Sequence, residues 1–127
     1  MATRANAGRG QTRQWLPVFE SPRPGQLIVD QTRRGRAGAL RMIGSVDRWT
    51  AGIVRKHVGF VIEAGLQRIV IDLLGAVVNE GGTQVLAEAR VRAEQAGLEF
   101  AVENAGRQVT EELEALAAAG ETATAVA

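Results

Sequence analysis

Residues 68–97 read R-I-V-I-D-L-L-G-A-V-V-N-E-G-G-T-Q-V-L-A-E-A-R-V-R-A-E-Q-A-G, and the reading of this stretch decides the fold. Ile69 to Leu74 is a short, nearly continuous apolar run rich in β-branched residues, the pattern of a strand buried on both faces. Gly75 separates it from a second apolar patch, Ala76-Val77-Val78, which leads into the polar turn Asn79-Glu80-Gly81-Gly82. From Thr83 the period changes. Val85, Leu86, Ala89, Ala93 and Ala96 share one helical face, with Glu88, Arg90, Arg92, Glu94 and Gln95 on the other. The stretch is therefore a strand, a glycine turn and a helix start. Such a junction leaves backbone N–H groups pointing out of the first helical turn, where a phosphoryl group or carboxylate can be held. No Lys follows the Gly-Gly pair, so this is not a phosphate-loop signature. Two readings stand: Asn79 caps the helix and the glycines let it pack close to the sheet, or the turn holds an anion.

At 127 residues and 46% hydrophobic, the chain is sized for one core. It has no cysteine, which excludes disulfides, thiolate metal sites and a cysteine nucleophile. One histidine, His57, and two serines, Ser21 and Ser45, are too little for a triad or a zinc site. No catalytic residues, metal ligands or cofactor are expected. No apolar run reaches the roughly 18 residues of a membrane span, so no membrane insertion is expected and a cytoplasmic location is the default.

Charge is divided along the chain. Residues 1–56 hold eleven Lys/Arg against three acids, and residues 57–127 hold four against eleven. The halves either pair with each other or steer the protein toward a charged partner. The basic half has no regular aromatic interleaving, so a nucleic-acid partner is not expected.

Residues 1–25 hold all three prolines and scattered arginines, the composition of a basic, flexible tail. Within it Trp15-Leu16-Pro17-Val18-Phe19 is an apolar knot, either an extra segment packed on the domain or a docking motif. Regular structure is expected from Gln26, with a strand at Leu27 to Thr32, an arginine-bearing loop at Arg33 to Gly38, and a second strand from Ala39 to Val46. Asp47 or Thr50 then caps a helix running to about Ala64 and ended by Gly65. The apolar arc of that helix spans about 220°, wider than a sheet needs. Val54, Val58, Val61 and Ile62 suffice for the sheet; Trp49, Ile53 and Phe60 form a possible second interface, covered by the tail knot or by a partner. His57 reads as a packed or half-exposed ring. A strand from Leu98 to Glu103 and a last helix, capped by Asn104, striped with Val109, Leu113, Leu116 and Ala117 and ended by Gly120, complete the domain at residues 26–120, with residues 121–127 as a C-terminal tail. The order is β β α β (β) α β α, an α/β mixed sheet with helices packed on it.

Residues 26 to about 120 resemble a STAS domain, the fold of the anti-sigma factor antagonists. The features that carry this are Gly44-Ser45-Val46-Asp47, similar to the family's G-x-x-D before the first helix, the Ile69 to Leu73 strand ending in Asp-Leu, and the patch, turn and helix that follow. The family's turn is D-S-S-G, with its second serine phosphorylated by a partner kinase. Here Asn79 replaces the aspartate, Gly82 keeps the glycine, and Gly81 stands where the phospho-acceptor would be. The resemblance implies a non-enzymatic regulatory protein-binding module whose partner, through Asn79, Glu80, Gly81, Gly82 and Thr83, is a kinase-type anti-sigma factor or related protein, with the phosphorylation switch missing from its usual place. The alternatives are a STAS-like assembly subunit, forming a homo-oligomer or a signalling scaffold, and a module binding a small anion or nucleotide. An enzyme built on Asp72 and Glu80 as a carboxylate pair lacks an accompanying nucleophile or base.

Overall fold

The computed structural model describes residues 25–126. Residues 1–24, which include nearly all of the expected tail and the Trp15 to Phe19 knot, lie outside the described residues. Strands β1 (Leu27–Arg34) and β2 (Ala37–Val46) form an antiparallel hairpin, in register from Leu27 opposite Gly44 to Arg34 opposite Ala37. Helix α1 (Ala51–Glu63) carries the chain to β3 (Arg68–Val78), and α2 (Gly82–Gln95) carries it on to β4 (Glu99–Glu103) before α3 (Arg107–Val126). The sheet order is β1-β2-β3-β4. β3 pairs parallel with both β2 and β4, as the two helical crossovers require. This is the mixed α/β sheet expected.

The core forms where the alternation of the strands meets the helix stripes. Leu40, Met42 and Val46 of β2 and Ile69, Ile71 and Leu73 of β3 pack with Val54, Val58 and Val61 of α1, Leu86, Ala89 and Ala93 of α2, and Leu113 of α3. The other sheet face is polar over much of its area: Arg41 pairs with Asp72 at 3.3 Å, and Arg34 reaches Glu103 at 3.3 Å. The strand expected to be buried on both faces is so through Leu73, but Leu74 is exposed.

Several local expectations are corrected. Ala76-Val77-Val78 is the end of β3 and not a separate strand. Between the pairs Arg41–Asp72 and Ile43–Gly75, β3 advances by three residues while β2 advances by two. This bulge shifts the side-chain alternation, which is why the sequence appeared to break at Gly75. Asn104 does not cap the last helix. Its backbone adopts φ +59° and its side-chain amide donates to Asp72 Oδ1 at 2.8 Å, tying the loop after β4 to the sheet. The helix begins at Arg107 and passes through Gly120 to Val126. One glycine costs a helix about 1 kcal/mol, which the preceding Leu116 and the alanines from Ala117 to Ala119 offset with strong helix propensity. The expected stop at Gly65, with φ +73°, does occur.

Candidate functional site

The parallel strands β2 and β3 end side by side, and their carboxyl ends feed the starts of α1 and α2. In open α/β sheets the carboxyl ends of the strands are the side on which ligands bind. After Val46, Asp47 is fully buried and its carboxylate gathers four donors. Oδ2 accepts from the Ser45 hydroxyl at 2.5 Å and the Gly25 N–H at 2.9 Å; Oδ1 accepts from the N–H groups of Trp49 at 2.9 Å and Thr50 at 3.0 Å. Burial opposes the charged form, but these four bonds outweigh it and hold the Asp47 carboxyl below the usual carboxylate range. Of the two capping candidates, Asp47 therefore satisfies the start of α1. Thr50 occupies the cap position, yet its hydroxyl accepts from Asp47 N and donates to Ser45 O, both at 3.0 Å.

The turn after β3 is fastened to this network. Asn79 N donates to Val46 O at 2.9 Å, Arg48 N donates to Glu80 O at 3.1 Å, and the Asn79 side-chain amide donates to Ser45 Oγ at 2.7 Å. Asn79 was expected to cap α2. Instead its side chain turns back to β2, while its carbonyl accepts from Gly82 N at 2.8 Å and Gly81 takes the cap position without any side-chain cap. Gly81 is left-handed, with φ +79°. Gly82 has no room for a side chain, since a Cβ there would collide with the Val46 carbonyl oxygen and lie 2.7 Å from Val78 Cγ1.

Glu80 points outward and pairs with Arg48 at 3.1 Å, both side chains being exposed. Thr83, the hydroxyl next to the turn along the chain, is buried and donates to Glu112 Oε1 of α3 at 2.7 Å. That bond, with a second from Gln108, lowers the Glu112 pKa. Asp72 is not brought together with Glu80. The Asn104 amide, the Leu74 N–H and Arg41 hold it on the sheet and depress its pKa against the effect of burial. His57 is half-buried, with Nδ1 3.1 Å from Gln31 Oε1 and its ring edge-on to Phe60; burial and then the Lys56 charge lower its pKa. Among the described residues no three His, Cys, Asp or Glu side chains converge as a metal site, and no helix is long and apolar enough to cross a membrane.

Beside the turn, a cleft of about 450 Å³ opens between α1 and α2, walled by Arg48, Arg55, Glu80, Gln84 and Glu88. Next to it, sharing Arg55, Val85 and Glu88, lies a smaller apolar hollow of about 150 Å³ floored by Val54, Val58, Val85 and Ala89. Arg55 and Glu88 pair across it at 3.3 Å, and Arg92 donates to the Arg55 carbonyl at 2.8 Å. Sequence reasoning placed residues 79–83 together but missed this cleft, the Arg48 bridge and the Thr83–Glu112 bond, all of which join segments distant in the chain. The G-x-x-D signal located Asp47 without revealing that its carboxylate is spent on four internal donors.

The sequence profile of the STAS domain matches residues 29–123. No curated protein matches the chain. Among solved structures, an anti-sigma factor antagonist from Mycobacterium paratuberculosis is 18% identical, with a TM-score of 0.58, over 75% of this chain and 83% of that one. The anti-sigma factor antagonist SpoIIAA in its unphosphorylated form is 12% identical, with a TM-score of 0.53, over 68% of this chain and 79% of that one. A structure named Mglu is 22% identical, with a TM-score of 0.55, over 61% of this chain; the match spans one fifth of that protein's length.

Proposed function

Since the chain belongs to the STAS domain family, we propose that it is a regulatory protein-binding module of the anti-sigma factor antagonist type, binding a partner through residues 79–83 and the α1–α2 cleft without a phosphorylation switch in the turn. The observation that carries this reading is Gly81: the family's acceptor position has no hydroxyl and a left-handed backbone, and a Cβ built there would lie 3.0 Å from Arg48 Cβ. Thr83 does not replace it, because its hydroxyl is buried against the Glu112 carboxylate, where a phosphoryl group would meet like charge.

The turn is held from below by the Asp47–Ser45–Asn79 chain of hydrogen bonds, so its backbone is presented as a rigid surface. The cleft beside it is open and lined with paired charges over an apolar floor, a character that fits a protein partner. The anion-binding alternative is less well supported, since Arg48 and Arg55 are already paired with Glu80 and Glu88. The reading is of a binder and not an enzyme. Asp47 and Asp72, the buried carboxylates, are both committed to internal donors. The partner class is a kinase-type anti-sigma factor or a related regulatory protein, and the location is the cytoplasm.

The test is to incubate the protein with a kinase-type anti-sigma factor from its own cell, with and without ATP, followed by intact mass and affinity. A complex that persists with ATP and an unmodified mass supports the reading. Stoichiometric phosphate on Thr83 with release of the complex would show that the switch has moved along the helix.

A further inference from the structure

Helix α1 carries more apolar surface than the sheet uses. Val54, Val58 and Val61 are buried, while Trp49, Ile53 and Phe60 are 56%, 36% and 45% exposed. Ile53, His57 and Phe60 follow one another at intervals of four and three residues along one side of the helix, and Trp49 precedes them in the turn that leads into it. The helical part of this stripe is about 10 Å long, and Trp49 extends it. The stripe leaves about 300 Å² of mostly aromatic surface uncovered, the size of the largest apolar patch on an ordinary monomer. Arg48 stacks 4.4 Å over Trp49, and Lys56 lies 5.9 Å from the Phe60 ring, so cations touch the stripe without covering it. The contact of His57 with Gln31 sets it beside β1, the edge strand among the described residues.

The chain's own N-terminal side enters at the Trp49 end. Gly25 N donates to Asp47 Oδ2, and a Cβ on Gly25 would lie 3.8 Å from Trp49 Cβ. Residue 25 is thereby fixed next to the stripe. Upstream, Trp15-Leu16-Pro17-Val18-Phe19 is an apolar run set among polar and basic residues. Extended, the run is about 17 Å long, enough to span the stripe, and the link from Phe19 to Gly25 reaches about 20 Å. A tether this short gives an effective concentration on the order of millimolar, far above that of a second copy in a micromolar solution.

We propose that residues 15–19 dock on the Trp49, Ile53 and Phe60 stripe of their own chain. The contact stands apart from the functional reading and does not depend on any partner.

The two tryptophans of the chain fall one on each side of the proposed contact. In full-length protein carrying Trp15→Phe, Trp49 is the sole reporter. Its acrylamide quenching should be about two-fold weaker, and its emission bluer, than in the same chain with Leu16→Ser and Phe19→Ser added, as expected for an indole shielded by apolar contacts. Phe60→Ser, at the far end of the stripe from Trp49, should also raise quenching by loosening the shared cover. Protection should not change with protein concentration. Equal quenching in all three proteins would overturn the proposal. So would protection that grows with concentration alongside a dimer in sedimentation, which would assign the stripe to a second copy.

Discussion

Replacing Asp47 by Ala tests whether the buried carboxylate organises the end of the sheet. Four donors lose the carboxylate. The N–H groups of Gly25 and Trp49 belong to an exposed segment and an exposed residue and can recruit water, and the Thr50 N–H keeps the Asp47 backbone carbonyl at 3.2 Å; the Ser45 hydroxyl belongs to a fully buried residue and is left without its acceptor. At about 1–3 kcal/mol for a buried donor left unpaired, the expected loss is about 1–3 kcal/mol. In urea this lowers the midpoint by about 1 M with the slope unchanged. Because the folded-state pKa of Asp47 lies below its unfolded value, its contribution is fully present above the unfolded pKa and is lost as pH falls through the folded pKa. The gap between wild type and Asp47→Ala should thus be constant near neutrality and close in acid. Amide exchange at Asn79 should also quicken in the variant, since Ser45 is released from its role as relay. A loss below about 1 kcal/mol with an unchanged slope, or a gap that persists through strong acid, would refute the assignment.

Gly82→Ala should destabilise by about 3 kcal/mol in thermal or urea unfolding, because the Val46 carbonyl it strikes is held in place by Asn79 N. Asn79→Asp should cost about 1–3 kcal/mol, since it removes the donor to Ser45 Oγ and brings a second carboxylate near Asp47; a neutral effect would mean that the amide is not part of the network. Thr83→Val should raise the Glu112 pKa toward the ordinary carboxylate value, read by NMR titration, and remove the stability that this contact supplies above the unfolded pKa and loses in acid. Gly81→Ser should fold with a loss of about 1–2 kcal/mol from the left-handed backbone, and should gain phosphate from a bound active kinase if the docking surface is intact.

The parts of this molecule that obey a local period were legible from the chain alone. Val54, Val58 and Val61 sit inward as the helical spacing requires, and Val109 and Leu113 do so on α3. Ala96 does not, because it falls just past the last turn of α2, where the period no longer applies. Side chains with two competing uses were misread. Asn79 and Asn104 both have cap chemistry, yet each spends its amide on an acceptor on a distant strand, Ser45 or Asp72. Those contacts follow only once the parallel registers of β2 with β3, for Asn79, and of β3 with β4, for Asn104, are known. The same holds for Arg48 with Glu80 and Thr83 with Glu112, whose pairing depends on how α1 and α3 lie against the turn.

The left-handed backbone at Gly81 also bears on what the turn can accept. At φ +79° and with Arg48 beside it, a hydroxyl-bearing residue at position 81 costs about 1–2 kcal/mol of a total that is typically 5–15 kcal/mol. Asn79, bonded to Ser45, sets a separate penalty on an aspartate at position 79. The turn therefore resists each change on its own ground, backbone conformation at one position and a buried hydrogen-bond partner at the other, and a chain carrying both has to absorb both costs.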